Sequence, residues 1–150
     1  MKKRNVIHRI EEVHAALRCL FRKNYEDYFP SGISPMEGKF IGYVGTHQDD
    51  GGVISKDLIQ AFGLRKPTVS ETLSSLINKG YMQFVKNRED GRMKSIVLTE
   101  KGQEYFSIVT PIIEGFDGSF DDILTKEENE QLENICQKLL DAIQERSKKK

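Results

Sequence analysis

"ISKDLIQAFGLRKPTVSETLSSLINKGYM" runs from Ile54 to Met82 and reads as two amphipathic stretches separated by a turn. In the first, Ser55 is placed to cap a short helix through about Ala61, with Leu58, Ile59 and Phe62 facing inward. Gly63 supplies the left-handed position that ends such a helix. Pro67 opens the second helix, where a missing N–H costs nothing, and Gly80 closes it. Val69, Leu73, Leu76 and Ile77 share one helical face and predict its buried side. The opposite face carries Glu71, Ser74, Ser75 and Asn78, flanked by Thr68 and Ser70. Two short helices joined by a Gly-containing turn form the helix-turn-helix pattern. Small hydroxyl and amide side chains on the second helix allow close approach to a groove and hydrogen bonds to phosphates and base edges. A plain solvated helix face has the same composition, so the neighbouring segments bear on the choice.

Downstream, "REDGRMKSIVLTEKG" (Arg88–Gly102) places an Asp-Gly dipeptide between the extended arms "YMQFVKN" and "MKSIVLT". With Asp90-Gly91 as a two-residue turn, Val85 falls opposite Ile96 and Phe84 opposite Val97. Apolar pairs then lie at the base of a hairpin and cationic side chains near its tip. An arginine there, Arg92, gains from the enhanced negative potential of a narrow minor groove. Asp90 reads as a structural acid that restrains nearby guanidinium groups. Thr99 caps the next helix, and Glu100 suits its positive end. Pro111 and Gly115 predict a kink or break in that helix before Phe116.

Upstream, Ile10, Val13, Leu17, Leu20 and Phe21, then Tyr25, Tyr28 and Phe29, mark one apolar stripe on a long helix over residues 5–29. Its length exceeds what one small domain covers, so it is expected to pack on something besides its own core. Pro30 and Gly32 interrupt it, and Ser34-Pro35 reads as the cap and first residue of a second helix ending near His47. "QDDGG" reads as a loop. At the C-terminal end, Thr125 and Glu128 form a capping box ahead of a stripe of Leu132, Ile135, Leu139, Leu140 and Ile143.

The 150 residues suit one domain, and equal numbers of bases and acids, 23 each, conceal an uneven distribution. Between Arg65 and Lys94 seven bases face three acids, whereas Thr110 to Glu145 holds ten acids and two bases. A basic middle in a neutral chain suits local contact with a polyanion rather than non-specific coating. No apolar run approaches the roughly 18 residues of a membrane span, and the basic N-terminus lacks the apolar core of a secretory signal. Cys19 and Cys136 have neither metal nor redox spacing, which suits reduced thiols and a cytoplasmic location.

Helix, short helix, polar-faced helix and basic-tipped hairpin, in this order, describe a winged helix-turn-helix. The stretches "GISPMEGKFIGYV", "ISKDLIQAFGLRKPTVSETLSSLINKGYM" and "REDGRMKSIVLTEKG" together resemble the MarR family of bacterial transcriptional regulators. The Asp90-x-Arg92 wing followed by Leu98-Thr99-Glu100-Lys101-Gly102 is the most specific piece, with Thr68-Val69-Ser70 and Lys79-Gly80 next. The resemblance covers nearly the whole chain. It implies a mostly α fold with a small β-hairpin wing, in one domain over residues 1–150. The winged helix-turn-helix would occupy residues 34–102, and residues 5–29 and 103–146 would be dimerisation helices. It further implies a homodimer on palindromic double-stranded operators, and an effector pocket between the dimerisation and DNA-binding parts. A ligand-responsive repressor is the expected function, with no enzymatic activity and no cofactor. Candidate DNA contacts are Lys66, Thr68, Ser70, Glu71, Ser74, Ser75, Arg88, Arg92 and Lys94. Two positions depart from the family pattern: Glu71 and Phe84 stand where arginine is frequent. An acid facing a groove is tolerable if it accepts from a cytosine amino group or is held by Arg65 or Lys66; otherwise it points into solvent.

Phe21, Tyr25, Phe40 and Tyr43 are candidates to line a pocket for a small aromatic or phenolic effector, although their helical spacing equally suits core or dimer packing. Cys19 sits where some relatives carry a peroxide-sensing thiol, but the nearest following tyrosine is Tyr25, off its face, so a small buried apolar role is expected. A thiol-based redox sensor using Cys19, and a winged-helix protein-interaction module without DNA binding, are the alternatives. His8 and His14 lie on different helical faces and His47 has no spaced ligand set, so no metal site is expected. Phosphate-loop and hydrolase motifs are absent from the sequence.

Overall fold

Ser34 sets the start of the central helix. Its hydroxyl accepts from the Glu37 N–H (3.1 Å) while the Glu37 carboxylate accepts from the Ser34 N–H (2.9 Å), closing a capping box. The structure, a computed structural model, describes residues 5–148 and is mostly helical with one antiparallel hairpin. Its elements are α1 (Val6–Tyr25), α2 (Pro35–His47), α3 (Ser55–Phe62), α4 (Lys66–Asn78), β1 (Met82–Lys86), β2 (Lys94–Leu98), α5 (Glu100–Gly118) and α6 (Lys126–Ser147). A 3-10 turn, Glu26–Tyr28, follows α1.

The chain divides into two compact units, Met1–Ile113 and Glu114–Lys150. In the first, the core gathers Phe40, Ile41 and Val44 of α2, Leu58 of α3, and Val69, Leu73 and Leu76 of α4. Met82, Ile96 and Leu98 of the hairpin and Tyr105 and Val109 of α5 complete it. The inward faces read for α3 and α4 are therefore the faces that pack. Gly63 ends α3 at φ +61°, the left-handed position expected of it. Gly102 is needed for close approach: a Cβ there would lie 2.1 Å from the Tyr81 carbonyl oxygen. Thr99 caps α5, its hydroxyl accepting from the Gly102 N–H at 3.1 Å.

Several local expectations change. The α3 cap is Ile54, not Ser55, because the Asp57 carboxylate accepts from the Ile54 N–H at 2.9 Å. The first helix ends at Tyr25 rather than near residue 29, passing into the 3-10 turn. Pro111 and Gly115 do not end α5, which runs through both to Gly118. The hairpin register is shifted by one residue: Phe84 pairs with Ile96, Val85 with Ser95 and Lys86 with Lys94. Asp90-Gly91 does not form the expected two-residue turn, since Gly91 is not among the glycines with positive φ. Asn87 is the cause. Its side-chain oxygen accepts from the N–H groups of Glu89 (2.9 Å) and Asp90 (3.0 Å), and its amide donates to Ser95 Oγ (2.8 Å). This buried amide organises a longer loop over residues 87–93. The "QDDGG" loop also leads into a pairing that was not expected: Val53 bridges Ile96 antiparallel, giving β2 a neighbour on its other edge.

α1 has no buried residue, and its stripe of Val6, Ile10, Val13, Leu17 and Leu20 is exposed. Cys19, expected to be buried, is exposed with the rest of this helix. In the second unit, α6 opens on the expected capping box, with Thr125 Oγ1 accepting from the Glu128 N–H at 3.1 Å. Nothing in α6 is buried, and Leu132, Ile135, Leu140 and Ile143 are exposed.

Candidate nucleic-acid interface

The outward side of α4 follows from its inward side. With Val69, Leu73 and Leu76 each at most 3% exposed, helical geometry turns Ser70, Glu71, Ser74 and Asn78 to solvent. Thr68 and Lys66 are exposed in its first turn. Ser70, Glu71, Ser74, Ser75, Asn78 and Lys79 line an open depression of about 510 Å³. Among the described residues Glu71 has no ion-pair partner, so neither Arg65 nor Lys66 neutralises it.

Ser75 differs from its neighbours. It is half-buried, and its hydroxyl donates to Glu37 Oε2 at 2.8 Å. Lys79 Nζ donates to both oxygens of the same carboxylate, at 2.9 and 3.0 Å, and to the Gly32 carbonyl at 2.9 Å. Glu37 is 6% exposed. Burial alone would raise its pKa, but Lys79, the Ser34 N–H and the Ser75 hydroxyl outweigh that and bring it down to about 2. One carboxylate thus joins the start of α2 to the end of α4.

The wing presents its cations differently. The Arg92 side chain is 95% exposed, with Nε 3.5 Å from Asp90 Oδ1, the same oxygen that accepts from the Arg92 N–H at 3.0 Å. Asp90 thus pairs with Arg92 through one exposed contact. Lys94 Nζ lies 5.9 Å from the centre of the Phe84 ring. Phe84, Lys86, Arg92, Met93 and Lys94 share a shallow hollow of about 290 Å³ with Val85 and Gly91. Arg88 is exposed on the same loop.

The four candidate effector-pocket rings fall into two groups. Phe21 stacks on Tyr25 with centroids 5.5 Å apart and meets Phe29 edge-on. Phe40 stacks on Phe62, also at 5.5 Å, and Phe62 meets Tyr43 edge-on.

Three organising residues escaped the sequence reading. Glu37 was signalled only as the fourth position of an S-x-x-E cap. Asn87 was hidden at the end of the first strand arm. Gln48, at the end of α2, accepts from the Leu98 N–H at 3.0 Å and so ties α2 to β2.

A family model described as MarR family matches residues 31–93, the segment from the α2 cap to the wing. That segment is of the MarR type. Likeness to known regulators extends beyond the matched segment. The chain is 24% identical over 135 residues to the HTH-type transcriptional regulator BilQ of Clostridium symbiosum, covering 87% of this chain and 92% of that protein. The crystal structure of Staphylococcus aureus MepR in complex with DNA is 25% identical, with a TM-score of 0.73 over 93% of this chain and 99% of MepR. MepR bound to ethidium bromide, 24% identical, gives a TM-score of 0.56 over 95% of this chain and 99% of MepR.

Proposed function

We propose that this protein is a cytoplasmic homodimeric repressor of the MarR type that reads an inverted-repeat operator with α4 and holds the flanking backbone with its wing. The observation that carries the reading is the two-sided character of α4: a face fixed in the core and, opposite it, an exposed face of small polar groups. Thr68, Ser70, Glu71 and Ser74 would meet base edges and nearby phosphates. Lys66, Arg88, Arg92 and Lys94 would meet the sugar-phosphate backbone or the minor groove. Ser75, half-buried and committed to Glu37, supports α4 rather than touching a base.

The homodimer rests on the exposed stripes of α1 and α6. Helices of this length without a buried residue gain little from their own chain, and exposed apolar stripes of this extent mark interfaces. A two-fold arrangement would set the two copies of α4 about 34 Å apart, one DNA turn. MepR is known both with DNA and with ethidium bromide. This supports a small aromatic or phenolic effector for the present protein, with Phe21, Tyr25, Phe40 and Tyr43 as the residues to test. Such a ligand must bind the DNA-free state better, typically by about 1–3 kcal/mol of coupling.

Titration with duplex DNA across a salt series tests the reading. Affinity should fall linearly on a log-log plot, with a slope near −0.9 per neutralised phosphate. Sedimentation at micromolar concentration should give a dimer. A folded protein that ignores duplex DNA at every salt concentration would instead be a protein-interaction module.

A further inference from the structure

We propose that Glu37 is a positioning residue for DNA reading: by holding Ser75 and Lys79 together it sets the rotation of α4 and keeps the Lys79 ammonium off the phosphates. The inference rests on the DNA-binding reading above and adds a division of labour within α4. Lys79 borders the same depression as Ser70, Glu71 and Ser74, so by position it would be counted among the cations that grip the backbone. The geometry says otherwise. Its nitrogen already donates to Glu37 Oε1, Glu37 Oε2 and the Gly32 carbonyl, all at 2.9–3.0 Å, and an ammonium has three hydrogens to give. Glu37 in turn is almost completely buried and accepts from Ser34, Ser75 and Lys79. Moving Lys79 onto a phosphate would leave that buried carboxylate without its counter-charge, which strongly disfavours the exchange.

The consequence is specific to reading. A helix lying in a groove can rotate about its axis unless something off the axis fixes it. The apolar face of α4 resists large rotations, but Val69, Leu73 and Leu76 are non-directional contacts. The carboxylate adds directional bonds to two side chains one turn apart, Ser75 and Lys79. They fix which of Ser70, Glu71, Ser74 and Asn78 face the bases. Glu71, with no cation of its own among the described residues, is most sensitive to this setting, because an acid aimed at phosphate repels it.

The experiment compares wild type, Glu37→Gln, Lys79→Met, the double variant and Ser75→Ala. Affinity is measured on an operator selected from a random duplex pool and on unrelated duplex, both across a salt series. Glu37→Gln retains a side-chain oxygen for the Ser34 N–H but releases Lys79. Its binding to unrelated DNA should strengthen and its salt slope should steepen by about 0.9, one added phosphate contact. The operator-to-unrelated affinity ratio should fall roughly tenfold, comparable to one misread base pair. Lys79→Met should lower that ratio while leaving the slope at the wild-type value, and the double variant should return to the wild-type slope. Ser75→Ala, which leaves every charge in place, should lower the ratio with no change of slope, and keeps the test open if Glu37→Gln does not fold. A salt slope that shrinks by about 0.9 in Lys79→Met would mean Lys79 grips phosphate in the wild type, and would overturn the proposal. An unchanged ratio in both Ser75→Ala and Lys79→Met would overturn it equally. Failure of wild type to bind any duplex would count against the DNA-binding reading itself, a separate outcome.

Discussion

α4 and the wing are the two parts of this molecule proposed to meet DNA, and they are held in opposite ways. α4 packs three apolar side chains into the core and is tied at its far end by an ion pair between the exposed Lys79 and the buried carboxylate of Glu37. The wing is held near its base, where Ile96 bridges Val53 and the Leu98 N–H bonds Gln48. Beyond those anchors Phe84, Val85, Arg92 and Met93 are exposed. The difference suits the roles proposed for them. Base edges demand a defined register, so the reading element is rigid. Phosphates present a repeating charge, so an element that reaches the backbone can tolerate motion. Substitutions should therefore have effects on stability that fall steadily from the core side of α4 to the tip of the wing.

The largest effect is expected at Leu76, which is fully buried beneath α4. Leu76→Ala removes the transfer energy of its methyl groups and leaves a cavity, for a loss of about 2–5 kcal/mol. Chemical denaturation would show it as a lower midpoint with an unchanged slope. A loss below about 1 kcal/mol would mean that α4 is not seated as firmly as its burial implies.

Second is the ion pair. The folded pKa of Glu37, about 2, lies below its ordinary value of 4.5. Folding is therefore favoured by this group above about pH 4.5, and that stability is lost as pH falls through about 2. The contribution is on the order of 3 kcal/mol for this buried carboxylate. Glu37→Gln should be less stable than wild type at neutral pH, and the gap should close by pH 2. A constant gap across acid titration would show that the amide loses packing rather than charge.

How much of this contrast was legible beforehand differs between the two elements for a physical reason. The faces of α4 were readable because helical period is a local property: Val69, Leu73 and Leu76 stand at intervals that only a helix brings together. The wing was readable in kind but not in register. Asp90-Gly91 carries a turn signal, yet the buried amide of Asn87 competes with it and sets a longer loop, slipping the pairing by one residue. A polar side chain that will be buried looks, in sequence, like one that will be exposed. Glu37 shows the same limit. Its capping role is visible from Ser34, three residues away, whereas its bond to Lys79 spans 42 residues. The apolar stripes of α1 and α6 were legible as stripes, and their lack of any buried residue agrees with an expectation based on length alone.

Third in size is Asn87 itself. Asn87→Ala removes two acceptor bonds to the loop backbone and one donor bond to Ser95 Oγ. Some of the released groups regain water, so the loss should be about 1–3 kcal/mol. It should be concentrated in the wing: amide exchange at Glu89 and Asp90 should accelerate far more than exchange in α4. Equal acceleration in both would show that wing and helix open as one unit, and the contrast between them would be lost.

The smallest effect on stability, and the most informative one for function, belongs to Arg92. Its side chain is almost wholly solvated, and Asp90, its ion-pair partner among the described residues, is also reached by the Arg92 backbone N–H. An exposed pair at 3.5 Å contributes little, so Arg92→Ala should change stability by less than about 0.5 kcal/mol. Its effect on DNA should be of a different kind. If the wing holds backbone, the variant should bind operator and unrelated duplex more weakly by the same factor. Its salt slope should also be shallower by about 0.9, one phosphate contact. This is the opposite of Ser75→Ala, which should change the ratio between the two duplexes and leave the slope alone. A variant of Arg92 that alters the ratio would place the wing tip among the reading groups, and a variant that alters neither would remove the wing from the DNA interface altogether.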